Sequence, residues 1–145
     1  MNLESAKVVA SKVQSEIARL VLAAGGNLTR SLDRSIEDIL NVIRQYLAMD
    51  ITFVTKQAGG DVAISHATPG PDGVRLQGMT HPKHQSLCQR VLEGRLPAVM
   101  PDIERLRETH DIPSLPLTVG AYRATPVLFR AGTLYGMLCY LNAAA

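Results

Sequence analysis

Residues 121–141 read AYRATPVLFRAGTLYGMLCYL. Arg130-Ala131-Gly132 separates two runs that alternate with period two, so the segment predicts an antiparallel hairpin, Ala121 to Phe129 against Thr133 to Leu141. In the second run Leu134, Gly136, Leu138 and Tyr140 alternate with Tyr135, Met137, Cys139 and Leu141. Both faces are therefore apolar, as in a strand covered on both sides, which places it in the middle of a sheet. Gly136 in a strand interior marks a bulge or the close approach of another backbone or a ligand.

Upstream, Ile51-Thr52-Phe53-Val54-Thr55 and Val62-Ala63-Ile64-Ser65-His66 flank Gly59-Gly60 and read as a second hairpin. Simple alternation sets Val62, Ile64 and His66 on one face. Two amphipathic helices precede it. Residues 3–22 carry Val9, Val13, Ile17, Leu20 and Val21 at helical spacing and end at Gly25-Gly26-Asn27. The second starts near Ser31, with Asp33 in its first turn and Ile36, Ile39, Leu40, Ile43 and Leu47 as its stripe. Residues 67–84 and 109–120 read as irregular stretches. Between them lie a short helix from Leu87 to Leu92 stopped by Gly94, a brief strand Ala98-Val99-Met100, and a short helix capped by Asp102. The order predicts an α+β domain: a central antiparallel sheet, N-terminal helices on one face, loops and short helices roofing the other. Such a roof is a natural place for a small-molecule pocket.

The chain has 145 residues, one domain's worth, 46% of them hydrophobic and 19% charged. A net charge of +2 is too even to point to nucleic acid or an anionic membrane, and 4% aromatic residues without Trp give no base-stacking surface. Two cysteines, Cys88 and Cys139, make neither a disulfide framework nor a zinc site built on cysteine pairs. No apolar run approaches the roughly 18 residues of a membrane span. The opening Met1-Asn2-Leu3-Glu4 does not read as a secretory signal, so the cytoplasm is the expected compartment.

Three stretches resemble the GAF family of sensory domains. Ser31-Leu32-Asp33 through Tyr46-Leu47 into Ile51-Thr52-Phe53-Val54 is similar to the family's helix and first strand. Cys88-Gln89-Arg90-Val91-Leu92-Glu93-Gly94-Arg95-Leu96-Pro97 with Met100-Pro101-Asp102 is similar to its short helix, turn, strand and Asp. Gly120-Ala121-Tyr122-Arg123-Ala124-Thr125-Pro126-Val127 with Gly132-Thr133-Leu134-Tyr135-Gly136-Met137-Leu138-Cys139 is similar to its closing hairpin. The version present resembles GAF domains that precede cyclic-dinucleotide enzymes or kinase modules in bacterial multidomain sensors. The resemblance divides the chain into an N-terminal signalling or dimerisation helix (1–30) and the domain proper (31–145).

The resemblance implies a regulatory module without catalysis. Such a module binds a small ligand or dimerises, and it controls an output domain or protein. The cofactor stays unknown. Cys88 is followed by Gln89, unlike the Cys-His of bilin-binding members, and the cyclic-nucleotide and sulfoxide-reductase signatures are missing. The end at Asn142-Ala143-Ala144-Ala145 reads as an excised sensory domain, or a lone one whose output is separate.

Six residues are candidate ligand contacts: His66, Cys88, Asp102, His110, Tyr122 and Arg123. His66 shares its expected face with apolar residues, as a core-edge histidine or a pocket group. Asp102 is an N-cap beside which a ligand could sit. His110 lies in the loop that supplies the iron ligand in haem-binding members, or is a solvated loop histidine. Alternation sends one of Tyr122 and Arg123 inward, and an inward Arg would suit an anion. Cys88 reads as core or, with a stabilised thiolate, as a redox sensor. His81, His84 and Cys88 are spaced as a metal site or as a polar loop entering a helix; no metal is expected. No Ser-His-Asp or paired-carboxylate arrangement is legible. The readings carried forward are a ligand-binding regulatory domain dimerising through its N-terminal helix, a ligand-free dimerisation module, a haem sensor, and a small redox enzyme working through Cys88.

Overall fold

A computed structural model describes residues 29–145 apart from Pro116, together with Val8, Ser11 and Lys12. The expected helix over 3–22, and with it the 1–30 segment as a dimerisation element, lies outside the described residues but for these. The elements run α1 (Thr29–Leu47), β1 (Ile51–Ala58), β2 (Asp61–Ala67), β3 (Thr80–Pro82), α2 (Leu87–Leu92), β4 (Val99–Met100), α3 (Ile103–Leu106), β5 (Ala121–Leu128) and β6 (Leu134–Asn142). Single turns of 3-10 helix at Pro71–Gly73 and Lys83–Gln85 interrupt the loop between β2 and α2.

The strands form one antiparallel sheet in the order β3-β2-β1-β6-β5-β4. β6 lies between β1 and β5, as its two apolar faces require. Leu138 and Tyr140 pack with Val54 and Val127 against Ile36, Leu40 and Ile43 of α1. Met137, Cys139 and Leu141 join Phe53, Ile64, Tyr122 and the residues of α2, α3 and the loops on the other face. The sheet is thus the middle layer of three, and the odd–even alternation of β6 feeds two separate cores.

α1 starts at Thr29, earlier than its expected start near Ser31, and has no acidic residue in its first turn. Asp33 is therefore in the helix body, where its carboxylate meets His66 instead of the helix N-terminus. Thr52 Oγ1 donates to the carbonyl of Leu40 at 2.7 Å, a second polar tie between α1 and the sheet. The expected long loop after β2 also contains β3, which pairs Val62 with His81.

Two glycines have physical reasons. Gly94 ends α2 at φ +76°, a conformation costly for other residues. A Cβ at Gly136 would run into the backbone carbonyl of Thr55, so β1 and β6 can come this close only without a side chain.

Candidate functional site

Between the cavity face of the sheet and its roof lies a space of about 490 Å³. Its floor is Phe53, Thr55, Ile64, Tyr122 and Leu141. One wall comes from β3, the 3-10 turn and the start of α2. The other comes from Ser114, Leu115, Leu117 and Val119. Met79, Thr80, Gln85 and Ser114 on its rim are exposed and give it a mouth to solvent. The two irregular stretches, unreadable as regular structure in the sequence, are its roof.

Arg90 ties the roof together. It is buried on α2, donating from Nη2 to the carbonyl of His84 at 2.8 Å and from Nη1 to the carbonyl of Asp111. The Asp111 carboxylate lies 3.3 Å from Nη1. One side chain thus clamps the segment before α2 to the loop after α3. A charge this deep is tolerated because carbonyl and carboxylate oxygens take protons from both Nη1 and Nη2, although the buried Nε has no partner among the described residues.

The polar part of the cavity centres on Cys88. Ser86 Oγ lies 3.0 Å and Thr55 Oγ1 3.3 Å from its Sγ. The hydrogen bond from the Cys139 thiol is the strongest influence holding the Cys88 pKa down to about 6. The Ser86 and Thr55 hydroxyls and the Gln89 N–H assist, while burial opposes. Donors favour the thiolate because they stabilise only the charged form. Cys139 is itself held protonated, pushed well up by burial and by the adjacent Cys88 charge. Tyr122 is raised likewise, first by burial and then by the two cysteines. The arrangement is one thiolate ringed by neutral donors. Ser86 serves twice, since its Oγ also accepts from Gln89 N at 3.1 Å and caps α2.

The structure brings together two of the six candidate residues, Cys88 and Tyr122, in the cavity wall. His66 corrects the expected face. Val54 pairs with His66 and Thr55 with Ile64, so Ser65 is an extra residue, a bulge. A bulge shifts the alternation by one. His66 therefore faces α1, where Nε2 is 2.8 Å from Asp33 Oδ1, while Ile64 faces the cavity. On β5, Tyr122 takes the cavity side and Arg123, paired with Tyr140, takes the α1 side. Asp102 accepts from Arg105 N at 3.2 Å as the cap of α3, apart from the cavity walls. His110 is exposed and hydrogen-bonds Thr109 Oγ1, also away from the walls.

His81 and Cys88 both line the cavity, whereas His84 is exposed outside it. Burial lowers the His81 pKa, against the attraction of Asp61, so the imidazole is neutral at pH 7. Among the described residues no three His, Cys, Asp or Glu side chains are grouped to hold a metal ion. Among the described residues the walls contain no Lys, Arg, Asp or Glu. The carboxylates of a haem or bilin would find no basic partner there, and His110 is not placed to reach iron, so these pigments do not fit the donor set. Sequence reading missed Thr55, Ser86 and Arg90. Their only signal was a polar residue within an otherwise buried strand or helix face, legible once the partner surface is known.

No family model matches the sequence, and no curated protein matches it significantly. Solved structures do match. The GAF domain from Acinetobacter phosphoenolpyruvate-protein phosphotransferase aligns with TM-score 0.60 at 12% identity, over 93% of this chain and 77% of that one. The Nlh2 GAF domain of A. aeolicus, in an inactive state, aligns with TM-score 0.59 at 18% identity, over 94% and 80%. A type II free methionine-R-sulfoxide reductase from Thermoplasma acidophilum aligns with TM-score 0.57 at 11% identity, over 77% and 74%. No helix among the described residues is long and apolar enough to cross a membrane. With the strand order, the two-faced central strand and the loop-roofed cavity, these likenesses identify the fold of this chain as that of a GAF domain.

Proposed function

We propose that the chain is a non-catalytic regulatory sensor that takes an uncharged, largely apolar small molecule into the cavity between sheet and roof. The single observation that carries this reading is the cavity itself. Protein interiors rarely leave voids much larger than a water molecule, and about 490 Å³ falls in the range of ligand sites. Among the described residues its walls combine apolar side chains with hydroxyl, thiol, amide and imidazole groups, and no full charge apart from the Cys88 thiolate. An anionic ligand would be desolvated there without a counter-charge. Occupancy orders the roof segments that Arg90 joins, and the N-terminal segment passes the change to an output module or protein within a homodimer. Two free cysteines fit a reducing compartment, in keeping with a cytoplasmic sensor.

The test is a titration with N-phenyl-1-naphthylamine, a neutral fluorescent probe. The expected result is saturable enhancement with the native chain, loss of it in Leu115→Trp, which fills the cavity, and none with an anionic naphthalene sulfonate analogue. Binding that survives Leu115→Trp unchanged, or no binding at all, would overturn the reading. Sedimentation of the full chain at high concentration checks the homodimer, and a monomer there removes that part.

A further inference from the structure

We infer that the cavity selects a flat, neutral molecule bearing one carbonyl-type oxygen, which accepts a hydrogen bond from the Tyr122 hydroxyl, an assignment that rests on the cavity being the ligand site. Tyr122 reaches the cavity floor from β5 and is only 4% exposed. Its hydroxyl makes no hydrogen bond of ordinary geometry to any described residue. The other polar groups of the wall are served differently. Thr55 Oγ1 and Ser86 Oγ are engaged with Cys88 Sγ at 3.3 and 3.0 Å, and Ser86 Oγ also accepts from Gln89 N. His81 is partly exposed, and Thr80, Gln85 and Ser114 are exposed, so bulk water still reaches them when the cavity is filled. Tyr122 differs from all of these. A molecule that fills the cavity shuts water off from this hydroxyl, so it must bring an acceptor of its own or bind less tightly.

The chemistry of the floor sets the rest of the ligand class. A phenol is first of all a donor, and burial keeps this one protonated. The matching group is therefore an acceptor, and a ketone, ester or quinone oxygen supplies one without a charge. The Phe53 and Tyr122 rings lie side by side on the floor, with centroids 6.3 Å apart and planes tilted by 60°. A flat ring system packs against such a pair by edge or offset face. Leu76, Leu87 and Leu115 close around it with apolar surface. Because the hydroxyl is on the floor and not at the rim, the ligand enters oxygen first and leaves its far end at the mouth.

The experiment displaces N-phenyl-1-naphthylamine from the full chain with two molecules of nearly equal shape. One is 2-acetylnaphthalene, which carries a ketone oxygen. The other is 2-isopropenylnaphthalene, which has a methylene group in its place. The readout is the ratio of their affinities in the native chain and in Tyr122→Phe, so that differences in their transfer from water cancel. In Tyr122→Phe the preference for the ketone is expected to fall roughly tenfold, with hydrocarbon binding equal or tighter. In the native complex the ketone C=O stretch is expected at the lowered frequency it shows in an alcohol, and in Tyr122→Phe at its position in hexane. The native half of that measurement holds even if Tyr122→Phe fails to fold. An unchanged affinity ratio in folded Tyr122→Phe, or a native carbonyl stretch at the hexane position, would overturn the inference. Failure of the ketone to displace bound naphthylamine also overturns the carbonyl assignment but leaves the cavity reading standing, whereas no binding of either molecule removes both.

Discussion

Replacing Gly136 by Ala tests the closest backbone approach in the sheet. The added Cβ falls short of ordinary contact with the Thr55 carbonyl by more than an ångström, and that oxygen belongs to the backbone of β1. It cannot swing aside as a side-chain tip would. Relief requires β1 and β6 to separate locally, near the paired Thr55 and Met137. One or two ladder hydrogen bonds weaken, at about 1 kcal/mol each. The cores on both faces lose fit, at roughly 1–3 kcal/mol for overpacking. The expected loss is about 3 kcal/mol, a large fraction of the ~5–15 kcal/mol typical of a domain. Gly94→Ala is the control. Nothing lies within 4 Å of its added Cβ, and only the positive φ opposes it, for roughly 1–2 kcal/mol. Urea unfolding followed by circular dichroism measures both, and with a slope of about 2 kcal/mol/M the Gly136→Ala midpoint falls by roughly 1.5 M. Because Thr55 also hydrogen-bonds Cys88, iodoacetamide should label Cys88 more slowly in Gly136→Ala than in Gly94→Ala. Equal midpoints for the two variants would refute the claim that the strand spacing forbids a side chain.

Arg90→Met removes the clamp and leaves the His84 and Asp111 carbonyls without their donor. Hydrogen exchange across 109–120 should speed up, and naphthylamine affinity should fall roughly tenfold, the effect of about 1.4 kcal/mol. Alkylation of Cys88 in the reduced protein should show a half-point near pH 6, set by its donors, with Cys139, Tyr122 and His81 as the titratable groups beside it. The folded pKa lies below the ordinary 9.0, so the unfolded chain holds more protons between about pH 6 and 9, and this group's contribution to stability rises with pH across that window. A half-point above 8 would contradict it. His66→Ala should cost about 1 kcal/mol, discounted for the half-exposed Asp33, while naphthylamine affinity stays unchanged because His66 lies on the α1 side. Leu40→Ala, at 1% exposure beneath α1, should cost roughly 2–5 kcal/mol in the same urea assay.

Much of the architecture was legible because period and punctuation are local. Two-sided apolarity in 134–141 placed β6 at the sheet centre, and the stripe Ile36, Leu40, Ile43 assigned α1 to one face. Gly94 and Asp102 mark element ends by capping chemistry within a few residues. The cavity's existence was legible in part, since Gly- and Pro-bearing loops had to lie over an apolar strand face.

The contents of the site were less accessible. The pattern Val62, Ile64, His66 predicted a shared face, but the bulge at Ser65 follows from strand pairing with β1, and one inserted residue reverses every side chain beyond it. Tyr122 and Arg123 were interchangeable by alternation until the register with Tyr140 chose between them. Nothing in the sequence around Arg90 signals burial, and only the two loops folding over it make it a buried clamp. By itself, then, the amino-acid order determined the elements, their sequence and which strand is central, since dihedral preference and hydrophobic period act over a few residues. The tertiary structure alone decided that Cys88 meets Thr55 and shares a cavity with Tyr122, because burial and hydrogen-bond partners come from segments distant in the chain.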